Sequence, residues 1–142
     1  MRAFETRRRI SFADCDPAGI VFHPRYLEMI NAVIEEWFAE RLGKSFAELH
    51  MRDRKGVPTV QISTEFPAPG RIGDELTFTL EVRKLGNSSM RLAIDGARHG
   101  ELIVKSRLTL VYMDLETARP EPLPDDLRTA IGAYLVPSGE SR

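Results

Sequence analysis

The chain has 142 residues, and its 20 lysine and arginine side chains against 21 aspartate and glutamate side chains give a formal net charge of -1. This length fits one domain of ordinary size, and a hydrophobic content of 42% excludes a disordered composition. The balanced charge argues against a protein held on nucleic acid or on an anionic membrane by its overall charge.

Cysteine content and hydropathy indicate where the protein works. Cys15 is the only cysteine, so neither an intrachain disulfide nor a cysteine-rich zinc site can form. The N-terminus does not resemble a signal peptide, and no stretch approaches the roughly 18 apolar residues of a membrane span. We therefore expect a cytoplasmic protein, folded as a single domain over residues 1–136 with a frayed tail over 137–142.

The first third of the chain predicts a strand followed by a long helix. Loose alternation predicts a strand from Phe4 to Phe12, although Arg8 falls on its apolar face. One helix is predicted from Pro24 to Leu42, because proline suits the first helical turn and Gly43 suits the position just past the end. Its apolar face is wide enough that the helix needs to be wrapped, and comprises Tyr26, Leu27, Ile30, Val33, Ile34, Trp37 and Phe38.

The remainder alternates with the period of β-strands. Strands are predicted around residues 60–66, 76–83, 90–95 and 102–112, and the last three form an antiparallel meander. Asp125 is expected to cap a short last helix. This order predicts an α+β fold in which a curved antiparallel sheet wraps around one central helix. A single sheet leaves edges and part of the helix open, which invites a partner subunit.

The densest polar cluster is the pair Asp14 and Asp16. Metal binding and aspartyl phosphoryl transfer both use such carboxylates, but they usually need partners from an alternating β/α domain that this sequence lacks. A turn in which the carboxylates cap backbone N–H groups is the simpler interpretation. The pair also precedes a helix start, where unpaired N–H groups can polarise a carbonyl, so a carboxylate beside an oxyanion site for acyl transfer is a further possibility.

The segment from Asp14 to Tyr26 (DCDPAGIVFHPRY) resembles the signature of the 4-hydroxybenzoyl-CoA thioesterase family. The segments 56–60 (GVPTV) and 85–89 (LGNSS) are also similar to family segments, the second more weakly. The resemblance implies the hotdog fold, a curved sheet around one long helix, which agrees with the element order. It further implies an acyl-CoA thioesterase that acts without a metal or cofactor.

The resemblance assigns catalytic roles by position. Asp16 matches the family's catalytic carboxylate, which attacks the thioester carbonyl or activates a water. The backbone N–H of His23 matches the oxyanion donor, and Gly19 allows the close backbone approach that the turn needs. The His23 imidazole is not implied as a base. A nucleophilic Cys15 is not favoured, because no paired histidine is indicated.

Binding residues follow in the same way. Tyr26 and Asn31 on the helix are the expected acyl contacts. Family members that hydrolyse 4-hydroxybenzoyl-CoA carry an aspartate at the position of Asn31, so this chain is expected to show only a weak preference for a 4-hydroxy ring. The basic and hydroxyl groups around the 85–89 turn are the expected coenzyme A contacts, namely Arg83, Lys84, Ser88, Ser89 and Arg91.

The sequence therefore predicts a hydrolase of aromatic or short to medium acyl-CoA thioesters. It is expected to form a homo-oligomer, a dimer at least and a tetramer of paired dimers as the resemblance implies, with each site drawing on two chains. Two alternatives stay open. A hotdog dehydratase would need a histidine base in the central helix, which has none over residues 24–42. A non-catalytic acyl-CoA or protein-binding module would lack the second aspartate, and Asp16 is present.

Overall fold

The fold is a five-stranded antiparallel sheet curved around one helix, seen in a computed structural model that describes residues 3–137. The large sheet has the order β1-β4-β5-β6-β3, and a small sheet pairs β2 with β7. The strands are β1 (Phe4–Arg9), β2 (Lys55–Gly56), β3 (Thr59–Glu65), β4 (Glu75–Leu85), β5 (Ser89–Arg98), β6 (Glu101–Val111) and β7 (Met113–Asp114). The helices are α1 (Pro24–Trp37) and α2 (Asp125–Gly132). The predicted fold class and the β4-β5-β6 meander are confirmed.

Helix α1 fills the concave side of the sheet. It begins at Pro24 and continues through one wider turn over Phe38–Leu42, and Gly43 ends it in the left-handed conformation with φ +75°. The predicted single helix over 24–42 is therefore present, with its last turn widened. Ile30, Val33 and Trp37 are completely buried against the sheet, and each contributes roughly 1.5–3 kcal/mol by leaving water. Leu27 is 39% exposed, because the sheet ends at β3 before it covers this side of the helix.

Strand β1 ends three residues earlier than predicted. Ser11 donates its backbone N–H and its hydroxyl to one carboxylate oxygen of Asp14, at 2.9 and 3.0 Å, and this capping arrangement turns the chain into a short 3₁₀ turn over Phe12–Asp14. Phe12 therefore lies outside the strand and is exposed. Arg8 carries a charge on the face of β1 that was predicted to be apolar, and its guanidinium binds the Glu36 carboxylate of α1 at 2.6 Å.

The segments around the ends of the sheet depart from the sequence prediction in two places. Asp125 is the first residue of α2 and not its cap, since Pro124 occupies the cap position and makes no side-chain cap bond. Residues 46–52 form a short helical segment that the sequence did not indicate. It packs beside the small β2-β7 sheet, where Lys55 binds Asp114 at 3.0 Å and Glu121 at 2.8 Å. Of the predicted frayed tail, only Pro137 falls within the described residues.

Candidate active site

The predicted catalytic residues lie in a loop that backbone hydrogen bonds hold as a small hairpin. The N–H of Phe22 donates to the Asp14 carbonyl at 2.9 Å, and the N–H of Asp16 donates to the Ile20 carbonyl at 3.0 Å. At its tip the N–H of Gly19 donates to the Asp16 carbonyl at 2.9 Å, with Gly19 at φ +78°, where other residues are strained. The hairpin is also bound to the segment before β4, because Val21 donates to the Gly70 carbonyl. The loop is therefore a fixed platform.

The two aspartates of the loop have different surroundings. Among the described residues, both hydrogen bonds of the Asp14 carboxylate come from Ser11, so Asp14 stabilises the turn. Asp16 is exposed at the hairpin tip, and one of its oxygens accepts the N–H of Ala18 at 2.9 Å. Its second oxygen has no hydrogen-bond partner among residues 3–137. Asp16 therefore combines a fixed backbone with a carboxylate oxygen free to act on a bound molecule.

His23 follows the hairpin and starts α1. None of the backbone hydrogen bonds in the described part of the chain uses its N–H as donor, as expected for a group at a helix start. The imidazole stacks on Phe66 with ring centroids 4.1 Å apart and planes 3° apart, which places it beside β3. Tyr26 is buried one turn later, and its hydroxyl accepts the N–H of Gly70 at 3.1 Å. Its ring borders a small cavity of about 210 Å³ that also adjoins His23 and Phe66.

Cys15 sits between the two aspartates but is not prepared as a nucleophile. Burial, together with the charges of Asp14 and Asp16, raises the pKa of its thiol above the ordinary value. Less thiolate is therefore present at neutral pH, and thiolate is the reactive form. This agrees with the sequence argument against a thiol mechanism.

Asn31 lies in a different place from the Asp16 loop. It is exposed at the mouth of an apolar cavity of about 630 Å³, formed between α1, the 46–52 segment and the small sheet. The GVPTV segment supplies part of the wall, from Gly56 to Thr59. Within one protomer, no residue of the Asp16 hairpin lines this cavity.

The predicted coenzyme A contacts are on and near the convex face of the sheet. Arg83 and Arg91 line a groove of about 360 Å³, together with Arg107, which the sequence analysis did not single out. Arg83 binds Glu81 at 2.9 Å and Arg107 binds Asp95 at 2.9 Å, while Arg91 has no ion-pair partner among the described residues. Lys84, Ser88 and Ser89 lie outside the lining of the groove, towards the β4-β5 turn.

The sequence carried a signal for one of the missed residues and not for the others. Arg107 is an odd-numbered residue of β6, and strict alternation places it on the convex face with Arg91 of β5. Phe66 and His50 lie at the end of a strand and in an irregular helical turn. The alternation of the strand predicted over 60–66 includes Phe66 but does not show that His23 stacks on it, and His50 has no periodic pattern that would show what it faces.

Comparison with known proteins identifies the family. Residues 10–131 match the Thioesterase-like superfamily, and the chain belongs to it. A 1,4-dihydroxy-2-naphthoyl-CoA hydrolase of Synechocystis sp. is 29% identical over 136 residues, covering 92% of this chain and 96% of that protein. A 4-hydroxybenzoyl-CoA thioesterase of Pseudomonas sp. is 32% identical over 78 residues, covering 54% and 55%. A solved gentisyl-coenzyme A thioesterase superposes with a TM-score of 0.79 at 26% identity, covering 91% and 99%.

These matches confirm the predicted family resemblance, the hotdog fold and the prediction that the chain is a thioesterase.

Two further observations concern metal sites and membrane spans in the described residues. Within residues 3–137 no three or more His, Cys, Asp or Glu side chains cluster closely enough to hold a metal ion. None of the helices in that range has the length and apolar character that crossing a membrane requires.

Proposed function

We propose that this thioesterase hydrolyses an aromatic or short to medium acyl-CoA, with the Asp16 carboxylate as nucleophile or general base and the His23 N–H as oxyanion donor. The observation that carries the proposal is the exposed Asp16 carboxylate, fixed at a hairpin tip that leads directly to an unpaired N–H at the start of α1. The names of the relatives support the aromatic class, since each of the three reported above acts on a hydroxylated aromatic acyl-CoA.

The chemistry follows from these two groups. As a nucleophile, the free oxygen of Asp16 adds to the thioester carbonyl carbon. The carbonyl oxygen becomes an oxyanion, which accepts a hydrogen bond from the backbone N–H of His23. Collapse of this intermediate breaks the carbon–sulfur bond, releases the coenzyme A thiolate and leaves a mixed anhydride, which water then hydrolyses. As a general base, Asp16 instead takes a proton from the water that attacks the same carbon. Neither route requires a metal or cofactor.

We propose that the active unit is a dimer formed along β3. This strand is an edge of the sheet, and its backbone groups on that side have no partner strand within the described chain. Val60 and Ile62 on it are 57% and 42% exposed, and Ile62 borders one surface pocket together with exposed Leu27 and Phe66. An exposed apolar edge strand is a site at which another chain adds. A second copy covers all four residues at once.

The register of such a pair brings the separated parts of the site together. Two copies of one edge strand related by a twofold axis run antiparallel, so with the axis at Ile62, Thr59 of one strand is opposite Glu65 of the other. Thr59 borders the 630 Å³ cavity, and Glu65 precedes Phe66, on which His23 stacks. The hairpin of one protomer is thereby brought towards the cavity of its partner. We propose that the acyl group occupies this cavity while Asp16 of the other protomer acts on the thioester.

We propose that the coenzyme A phosphates bind the basic groups near the β4-β5 turn, with Arg83, Lys84, Arg91, Ser88 and Ser89 as contacts. The groove on the convex face supports this proposal. It holds three arginines, and within residues 3–137 only two carboxylates, Glu81 and Asp95, form ion pairs with them, so one positive charge is left over for a phosphate. The groove adds Arg107 to the set. We further propose that two dimers pair into a tetramer, as the family resemblance implies. We also propose a cytoplasmic location, because a chain with a single cysteine is typical of a reducing compartment.

Replacement of Asp16 by asparagine removes the charge and the nucleophile but keeps the size. We expect kcat for acyl-CoA hydrolysis, measured by thiol release, to fall by roughly 10²–10⁴ while the melting temperature stays near that of the wild type. Asp14→Asn is the matched control. It weakens the bonds to Ser11 and is expected to lower stability more than turnover. Near-wild-type hydrolysis by the Asp16→Asn protein contradicts the mechanism.

The dimer proposal predicts that sedimentation at micromolar concentration shows no monomer of the wild type. Ile62→Arg places a charge in the middle of the exposed β3 edge, so it should give a folded monomer with little hydrolytic activity. Leu135→Arg changes another exposed apolar residue, which lies beside Val82 of β4 towards the opposite side of the sheet, and should remain a dimer. An active wild-type monomer would rule out a shared site.

The basic groups should act on binding and not on chemistry. Alanine at Arg83, Lys84 and Arg91 together is expected to raise KM for acyl-CoA roughly 10-fold or more and to leave kcat nearly unchanged, because these groups lie far from the reacting carbon. Alanine at Arg7, Arg9 and Arg41, exposed near the opposite edge of the sheet, is the charge-matched control. Added salt should raise KM of the wild type more than that of the first variant. An unchanged KM would mean that the phosphates bind elsewhere.

A further inference from the structure

The 630 Å³ cavity is mostly apolar but contains one partly buried polar ring. Its walls come from α1, the 46–52 segment, the β2-β7 sheet and the end of β6, including Ile34, Phe46, Val57, Leu110, Met113 and Leu115. His50 is among these walls, and it is half-buried with its ring tilted against that of Phe46 at a centroid distance of 5.2 Å. A polar atom in an apolar cavity fixes which ligand is bound and in which orientation.

The hydrogen bonding of His50 determines what its free nitrogen can do. Nδ1 lies 2.8 Å from the carbonyl oxygen of Phe46. A carbonyl only accepts, so Nδ1 carries the proton in this bond and the ring is held in one orientation. In the neutral ring the other nitrogen, Nε2, is then an acceptor. No residue in the described range donates a hydrogen bond to Nε2.

The wall opposite Nε2 keeps this acceptor accessible. A side chain at Gly56 would place its Cβ in contact with His50 Nε2, at 3.6 Å, and 2.9 Å from a methyl carbon of Leu115, so glycine leaves more room beside the nitrogen than another residue would. Gly56 is fixed by its pairing with Met113, next to the ion pairs of Lys55. The hydrogen bonds to Glu121 and Asp114 raise the pKa of Lys55, and these ion pairs link β2 to β7 and to the segment after it.

We propose that His50 Nε2 accepts a hydrogen bond from a hydroxyl on the acyl group, on the side of an aromatic ring remote from the thioester, and so selects hydroxylated aromatic acyl-CoAs. The inference rests on the proposed function, since it takes the cavity to be the acyl site. Asn31 and Glu35 also border the cavity, but both are exposed, and no residue in the described range binds their side chains. His50 is the one of the three whose orientation a protein hydrogen bond fixes.

Substrate pairs that differ by one hydroxyl test the proposal. We would measure kcat/KM for benzoyl-CoA and for its 2-, 3- and 4-hydroxy derivatives, and the Kd of the same compounds by calorimetry for the Asp16→Asn protein with and without His50→Phe. The wild type should favour the 3- or the 4-hydroxy compound over benzoyl-CoA, and the 2-hydroxy compound, whose hydroxyl adjoins the thioester, should gain nothing. His50→Phe keeps the ring packing and should lower the favoured ratio roughly 3- to 10-fold, as the loss of one neutral hydrogen bond does.

Three further variants separate His50 from its neighbours. His50→Gln retains an acceptor near the position of Nε2 and should keep most of the preference. Asn31→Asp adds a charged acceptor and should raise the ratio for the 4-hydroxy compound, while Glu35→Gln should leave it unchanged. Unchanged hydroxyl ratios in His50→Phe, in both kcat/KM and Kd, or a loss seen in Glu35→Gln instead, would overturn the proposal.

The results that contradict the proposed function differ from those that contradict the role of His50. It fails where the wild type hydrolyses none of these thioesters, or where Asp16→Asn hydrolyses benzoyl-CoA like the wild type. In the first case the Kd ratios of the wild type and of His50→Phe, neither of which consumes the ligand, decide whether His50 selects a hydroxyl. In the second case the kcat/KM ratios of the wild type and of His50→Phe decide it.

Discussion

Burial of the wide apolar face of α1 is the constraint on which the rest of the structure depends. The helix is too apolar to lie on a surface, and a curved sheet is the smallest partner that can enclose it. The enclosure leaves one side open. The sheet ends at β3, and Leu27 of the helix, together with Val60 and Ile62 of the strand, stays in contact with solvent in a single protomer. The same constraint that builds the fold therefore creates the surface at which we propose a second copy binds.

This open side also explains why the functional groups are divided. The Asp16 hairpin and the start of α1 lie at one end of the β3 edge, and the 630 Å³ cavity lies at the other. Neither is a complete site for an acyl thioester: the first has reactive groups but little enclosure, and the second has enclosure but none of the hairpin's residues. When two protomers pair antiparallel along β3, the hairpin of each protomer comes next to the cavity of the other. The dimer then has two complete sites, and no movement within a protomer is needed.

Much of this could be predicted from the sequence because the patterns are local. The helix and the three strands of the meander follow from periodicity, and the Asp14–Tyr26 segment carries the family resemblance. The errors occurred where a side chain overrides the pattern, as at Ser11 and Asp14, whose hydrogen bonds end β1 before Phe12. His50 could not be assigned a role because its meaning depends on the Phe46 carbonyl and on the missing side chain of Gly56. Both features arise from how residues meet in the folded cavity, and no periodic pattern in the sequence indicates them.

If Asp16 of one protomer acts on an acyl group held in the cavity of the other, mixed dimers of two inactive variants should regain activity. Asp16→Asn removes the reactive group, and Asn31→Arg blocks the cavity. Each homodimer should hydrolyse acyl-CoA poorly. When the two variants are unfolded and refolded together, half of the sites in a mixed dimer contain both native parts, so the mixture should recover up to about a quarter of wild-type activity. If the mixture shows no recovery although mixed dimers form, the site lies within one protomer, which contradicts the shared site.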